Sequence, residues 1–407
     1  MKILAISSWF PYPPDNGSKA RAYNLLRHLG ARHTLDLLAL SQTDRDMDQL
    51  DQVSSFCRRF HAVPEPRFDP TGIRSWTGFF SPTPRYFREH QAPEIEDLAA
   101  RWASEERYDA VVAVTMGAAP YAVKLDVPFK LLDQHNVESE VIKRKWRSGR
   151  GMLRRLRWLP TWLKSQRFER KIASCFDAIA VVSERERELM ELVLRDGRVP
   201  KVAVVPNGVD PSLLSYRPRA KESGVLAFTG ALTYAPNYDA ATCLCRDILP
   251  ALRTRFRDVR LRITGSTDGI NLRGFSGVPG VEFTGYVDDI RPVVSSAWAL
   301  VVPLRYGGGT RVKILEAMAL GTPVISTPMG AEGLDVKDGT HILLGSDPAE
   351  LVEQTSRLLS DPGLAARIAD SARELVRERY QWPSIAEEFE GLLVGTREME
   401  VAQNARD

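Results

Sequence analysis

The stretch Arg305-Tyr-Gly-Gly-Gly-Thr-Arg-Val-Lys-Ile-Leu-Glu316 sets three consecutive glycines ahead of Arg311, Lys313 and Glu316. Glycine lets a backbone approach a ligand closely and present several N–H groups without a Cβ in the way. A helix beginning near Thr310 would add its positive end, and Arg311 and Lys313 would reinforce that field. A diphosphate is the natural guest, with arginine gripping it bidentately and lysine acting as a point charge. Glu316 is an acceptor only, so it suits ribose or sugar hydroxyls and would repel the phosphates themselves. On spacing alone the stretch also reads as a glycine-rich turn with a solvated Arg, Lys and Glu.

Other residues could do chemistry. His135, in Asp133-Gln-His-Asn-Val-Glu138, stands just after an apolar run, where a histidine serves either an active site or helix capping and packing. Asp44-Arg-Asp46 has the spacing of an Asp-x-Asp metal motif but precedes a helical pattern, where acids favour the helix N-terminus. It reads as a solvated cap, and no metal is expected. The four cysteines, Cys57, Cys175, Cys243 and Cys245, form no C-x-x-C pair and read as buried thiols in a reducing compartment.

Short aliphatic runs at 2–7, 34–40, 110–114, 129–132, 178–182 and 202–205 alternate with helical patterns. After Asn207-Gly208 a second set follows at 225–229, 259–264, 281–283, 299–302 and 323–326, with helices expected at 238–256, 288–296 and 310–320. Such alternation predicts parallel α/β sheets buried on both faces, and hence two doubly wound domains in tandem. The boundaries expected are 1–206, 207–380 and a C-terminal segment 381–407 that packs toward the first domain, with a linker near 206–222. The run Ala299–Val302 ends just before the glycines, and open α/β sheets bind ligands beyond the carboxyl ends of their strands.

At 407 residues, with 43% hydrophobic and 26% charged residues, the composition is globular and exceeds one typical core. The opening MKILAISSWF reads as a first buried strand rather than a leader. No apolar run approaches the roughly 20 residues of a membrane span. Net charge is +3, yet residues 143–171 hold twelve basic residues against the single acid Glu169. Within this segment Trp158 and Trp162 lie among leucines at helical spacing and intervening arginines, with Trp146 upstream and Pro160 expected to break the helix in two. It reads as an anionic-membrane surface, against the alternatives of a solvated face or a nucleic-acid patch.

Leu315-Glu-Ala-Met-Ala-Leu-Gly-Thr-Pro-Val324 behind a glycine-rich loop resembles the donor-site signature of retaining glycosyltransferases of family 4, which adopt the GT-B fold: two Rossmann-like domains facing across a cleft. Val205-Pro-Asn-Gly-Val-Asp210, Phe228-Thr-Gly230 and Phe283-Thr-Gly-Tyr-Val287 resemble further landmarks in the same order. The family's E-x(7)-E signature is incomplete here. Its second glutamate falls on Glu316, implied to bind ribose, and its first, which in the family contacts the donor sugar, falls on Gly308. A subset of the family carries a Gly-Gly-Gly-Thr-Arg-x-Lys loop like this one. The resemblance implies Gly17, Gly230, Tyr286, Val287, Gly307, Gly308, Gly309, Thr310, Arg311, Lys313 and Glu316 at the donor site, with Tyr286 and Val287 near the base and Gly17 facing the phosphate. It implies His135, Arg311 and Lys313 in catalysis.

The function so implied is a retaining, metal-independent hexosyltransferase. It takes a nucleoside diphosphate sugar as co-substrate, without a cofactor, and a glycan or lipid-linked acceptor, in surface polysaccharide or glycolipid synthesis. The expected location is the cytoplasm, at the inner face of the plasma membrane, with no nucleic-acid partner. The alternatives are a nucleotide-sugar 2-epimerase or phosphorylase on the same fold, or a non-catalytic two-lobed sugar-binding protein.

Overall fold

The computed structural model describes the chain except residues 44–45, 47, 67–80, 149–151, 196–198, 218–219, 276 and 405–407, and except the side chains of 86, 89, 145, 148, 152–157 and 396–404. The described residues divide into two compact units, Met1–Pro206 with Pro383–Asp407, and Asn207–Trp382. Each is built on a parallel sheet.

In the first unit the strands are β1 (Lys2–Ser7), β2 (Thr34–Ser41), β3 (Arg59–Pro64), β4 (Ala110–Val114), β5 (Phe129–Gln134), β6 (Ala178–Val181) and β7 (Lys201–Val204), arranged β3-β2-β1-β4-β5-β6-β7. Ile3 to Ile6, Ala110 to Ala113, and Ile179 with its neighbours are buried at 0–1% exposure, as a sheet covered on both faces requires. The first helix, Gly17–Arg32, is capped by Asn16, whose side chain accepts from Ser18 N and Lys19 N. The Trp382–Asn404 helix contributes Phe389, Leu392 and Leu393 to the buried set. Its Glu390 accepts from His28 and Arg32, and pairs with His33 at 2.9 Å.

In the second unit β8 (Glu222–Thr229), β9 (Arg260–Thr264), β10 (Val281–Gly285), β11 (Ala297–Val302), β12 (Val324–Ser326) and β13 (Leu343–Leu344) run β10-β9-β8-β11-β12-β13. Both sheets therefore reverse strand order beside their first strand, between β1 and β4 and between β8 and β11. The carboxyl edge at such a reversal opens a crevice, because the connections leave to opposite sides.

Several expectations change. Met152–Ala173 is one helix with Pro160 inside it, so the proline does not break it; proline forfeits one backbone bond, but its fixed φ is helical. Trp146 and Trp162 stack on each other at 5.4 Å and 10°, with Lys143 Nζ 5.7 Å from the Trp162 ring, so these indoles partly satisfy one another. Asp44 and Arg45 lie outside the described residues. Asp46 is buried rather than solvated and accepts from Gln42 N at 2.9 Å and Thr43 N at 3.0 Å. Cys175, just past the helix that ends at Ala173, is exposed and Cys57 is half-buried, unlike the buried Cys243 and Cys245. Among the described residues no helix is long and apolar enough to cross a membrane.

Candidate active site

In the second unit, the ends of four neighbouring strands carry the glycine-rich segments. Gly230 N donates to Thr264 O at 2.8 Å and Gly265 N to Gly285 O at 2.9 Å, so the exits of β8, β9 and β10 lie side by side. A Cβ on Gly265 would stand 2.4 Å from the Gly230 carbonyl, which forces glycine there. Beyond β10 follow Tyr286, 61% exposed, and half-buried Val287.

The loop after β11 begins with Arg305, whose guanidinium binds Asp239 at 2.8 Å. Gly307 and Gly309 have φ of +135° and +68°, conformations that favour glycine, whereas Gly308 has no positive φ. The helix runs over Val312–Ala319, two residues later than expected, with Arg311 as its N-cap residue. The Arg311 guanidinium is buried and turned back onto the carbonyls of Gly308 and Gly309, so it braces its own loop. Thr310 Oγ1 accepts from Asn207 Nδ2 at 2.7 Å, which ties the loop to the Val-Pro-Asn-Gly turn.

Lys313 projects from the first turn of that helix toward the exit of β8. Its Nζ donates to Asn237 Oδ1 at 2.9 Å and lies 4.5 Å from the Phe228 ring centroid. A Cβ on Gly230 would come within 2.6 Å of it. Burial first, and the nearby Arg311 cation second, hold the ammonium down to about 7, against a smaller opposing pull from Glu316. Burial also pushes the Glu316 carboxyl above its ordinary range. One cation thus spans the crevice between β8 and β11 without a full counter-charge. Asn237 escaped the sequence reading, although Pro236 and its place after Phe-Thr-Gly marked a helix start.

Gly17 and His135 belong to the first unit and are not gathered with these residues by anything within the second. Gly17 opens the first helix. His135 follows β5, with Nε2 3.1 Å from Asp133 Oδ2. Asp133 in turn receives Arg21 Nε at 2.8 Å, and Arg21 also donates to the carbonyls of Val205 and Pro206. Burial alone would raise the Asp133 carboxyl, but Arg21 and His135 outweigh it and hold it at about 2. Two more carboxylates fix the 134–139 turn. Glu169 accepts from Glu138 N at 2.8 Å and Ser139 N at 3.0 Å, and Glu186 accepts from Val137 N at 2.7 Å. Burial pushes Glu169 up to about 7.

Beside His135 a cavity opens at the exits of β1, β4 and β5, walled by Ser8, Trp9, Phe87, Thr115, Gln134 and Asn136 among others. Among the described residues no cluster of three His, Cys, Asp or Glu side chains could hold a metal ion.

Residues 16–208 match the family described as glycosyl transferase 4-like domain, and residues 223–361 match glycosyl transferases group 1. Among curated relatives, the phosphatidyl-myo-inositol mannosyltransferase of Mycobacterium leprae is 31% identical over 194 residues, 46% of this chain and 51% of that protein. The chain thus matches about half the length of that relative. Anabaena HepE, solved in complex with UDP, superposes with a TM-score of 0.69 over 97% of this chain and 100% of that one, at 15% identity. WaaG, described as a glycosyltransferase involved in lipopolysaccharide biosynthesis, gives 0.66 over 97% and 100%, also at 15% identity. At such identity the likeness carries the fold alone, and that fold is GT-B, with two Rossmann-like domains. Between them the two matched regions take in both units, so each unit matches a glycosyltransferase family model.

Proposed function

We propose that the protein transfers a sugar, with retention, from a nucleoside diphosphate sugar to a hydroxyl of a glycan or lipid-linked acceptor. The observation that carries this reading is Lys313, an under-neutralised ammonium held between the exits of β8 and β11 beside Gly230. A diphosphate supplies the missing charge, and backbone N–H groups of the Gly307–Gly309 loop supply donors. In front-face substitution the leaving diphosphate gains charge as the acceptor hydroxyl arrives on the same face, and preorganised cations stabilise that charge. Such cations do the work a metal would otherwise do. His135, oriented by Asp133, is proposed to act at the acceptor, and Glu316 to accept from ribose. A thermal-shift panel of UDP, GDP, ADP and dTDP with their sugars tests the donor. One base is expected to raise Tm by mass action, in the parent and in Cys243→Ala alike; a flat panel sinks the reading. UDP is the first choice, because HepE was solved with it.

Residues 143–171 are proposed to rest on an anionic lipid surface. Arg147, Leu163, Arg167 and Lys171 are exposed around the stacked Trp146 and Trp162, which suits a headgroup layer better than the interior of a bilayer. Flotation with vesicles containing phosphatidylserine is expected to exceed that with neutral vesicles and to fall with salt. Equal flotation on both refutes the contact.

A further inference from the structure

We infer that the cavity beside His135 takes an uncharged, hydroxyl-rich ring and discriminates against a phosphorylated one. The inference rests on the transferase reading above, in which an acceptor hydroxyl must be presented at this edge of the first unit. Three of the residues that line the cavity carry a side-chain oxygen, Ser8 Oγ, Gln134 Oε1 and Asn136 Oδ1, that is shielded from solvent with no hydrogen-bond partner. The amide of Gln134 is oriented by its own network. Its Nε2 donates to Asn136 O and, at 3.2 Å, to Glu169 Oε1, both acceptors, so the oxygen is the end left over. Each buried, unpaired polar atom costs about 1–3 kcal/mol, and native folds hold few of them. Three among the residues lining one cavity point to a ligand that completes the bonding.

The chemistry of the wall selects the ligand. Two of the three oxygens are obligate acceptors, so they need O–H or N–H groups, and an ionised phosphate offers none. The ionisable residues lining the cavity, among those described, are Glu65, His90, His135 and Glu138, with neither lysine nor arginine. Glu65 is already paired with His90 at 2.7 Å. Trp9, Phe87 and Met116 offer apolar faces to the C–H side of a ring. The backbone is held to this shape at a cost. Thr115 is β-branched yet has φ of +71°, a strain of about 1–3 kcal/mol of the kind found at ligand clamps. Gly117 leaves room for Ser8 Oγ, which a Cβ there would meet at 2.5 Å.

Calorimetric titration of the full chain with methyl hexopyranosides and the corresponding hexose 6-phosphates tests this. At least one neutral hexoside is expected to saturate the protein, with the phosphates at least about tenfold weaker. Asn136→Leu and Gly117→Ala are each expected to weaken the hexoside about tenfold, since a site built to bind a hydroxyl loses it steeply when one partner goes. The nucleotide-induced thermal shift, measured on the same preparations, is expected to stay. No saturable hexoside, phosphates binding as tightly, or unaltered affinity in both variants each overturns the inference. A retained nucleotide shift with no hexoside binding sinks the cavity assignment alone, whereas hexoside binding without any nucleotide shift sinks the donor reading alone.

Discussion

Lys313→Met is expected to abolish the nucleotide-induced thermal shift and to lower kcat/KM by about 10²–10³-fold, the usual loss when one preorganised donor to developing charge is removed. The fold should tolerate the change. Methionine keeps the stem that packs beside Phe228, and it removes an ammonium that folding disfavours. The pH dependence gives a sharper test. The native pKa of about 7 lies below the ordinary lysine value, so the unfolded chain holds the extra proton between about 7 and that value. Stability of the empty protein from this group therefore rises with pH across that window. Donor affinity should fall across the same window, because the diphosphate needs the charged form. Lys313→Met loses both slopes at once. Gly230→Ala reaches the same site by another route, since its Cβ would crowd Nζ at 2.6 Å on a backbone with φ of +138°. Arg311→Ala differs in kind, because the guanidinium that braces Gly308 and Gly309 is lost and the loop goes with it. An undiminished nucleotide shift in Lys313→Met would remove the basis of the donor site.

What the sequence made legible was local or periodic. The apolar runs located the strands because a sheet covered on both faces tolerates little else, and Ala299–Val302 placed the glycine loop at a carboxyl edge. The strand Arg59–Pro64 was missed because Arg59, His61 and Pro64 interrupt the apolar pattern of an edge position. Leu343–Leu344 is too short to signal. Long-range partnerships were invisible for a different reason. Arg21 meets Asp133 across 112 residues and Lys313 meets Asn237 across 76, and nothing in the spacing of such residues announces contact. The same holds for Glu169, which looked like a stray acid in a basic stretch and instead fastens the turn that carries His135. Pro160 misled because the rule against helical proline concerns one backbone bond, and neighbouring packing can outweigh it.

Arg21→Met is expected to destabilise the first unit by about 3–5 kcal/mol, the penalty for leaving one member of a buried ion pair without its partner. Arg21 is fully buried and serves Asp133 together with the carbonyls of Val205 and Pro206, so methionine fills the stem but strands three acceptors. Adding Asp133→Asn should recover a large part of the loss, because the uncompensated charge then disappears. If the double variant is as unstable as the sum of the single ones, the pair is not coupled as described. Acid titration supplies the sign. A carboxyl held at about 2 contributes stability that is fully present above the ordinary aspartate value and is lost as pH falls through about 2. In Arg21→Met that contribution should be missing at neutral pH, so its acid transition should be shallower in this window. The two sites should also separate in their readouts. Nucleotide binding, proposed here for the second unit, should survive in whatever fraction of the variant is folded. Turnover should fall because Asp133, no longer held by Arg21, fixes the ring of His135 3.1 Å away less firmly. Loss of nucleotide binding along with turnover would mean that Arg21 does more than position one histidine.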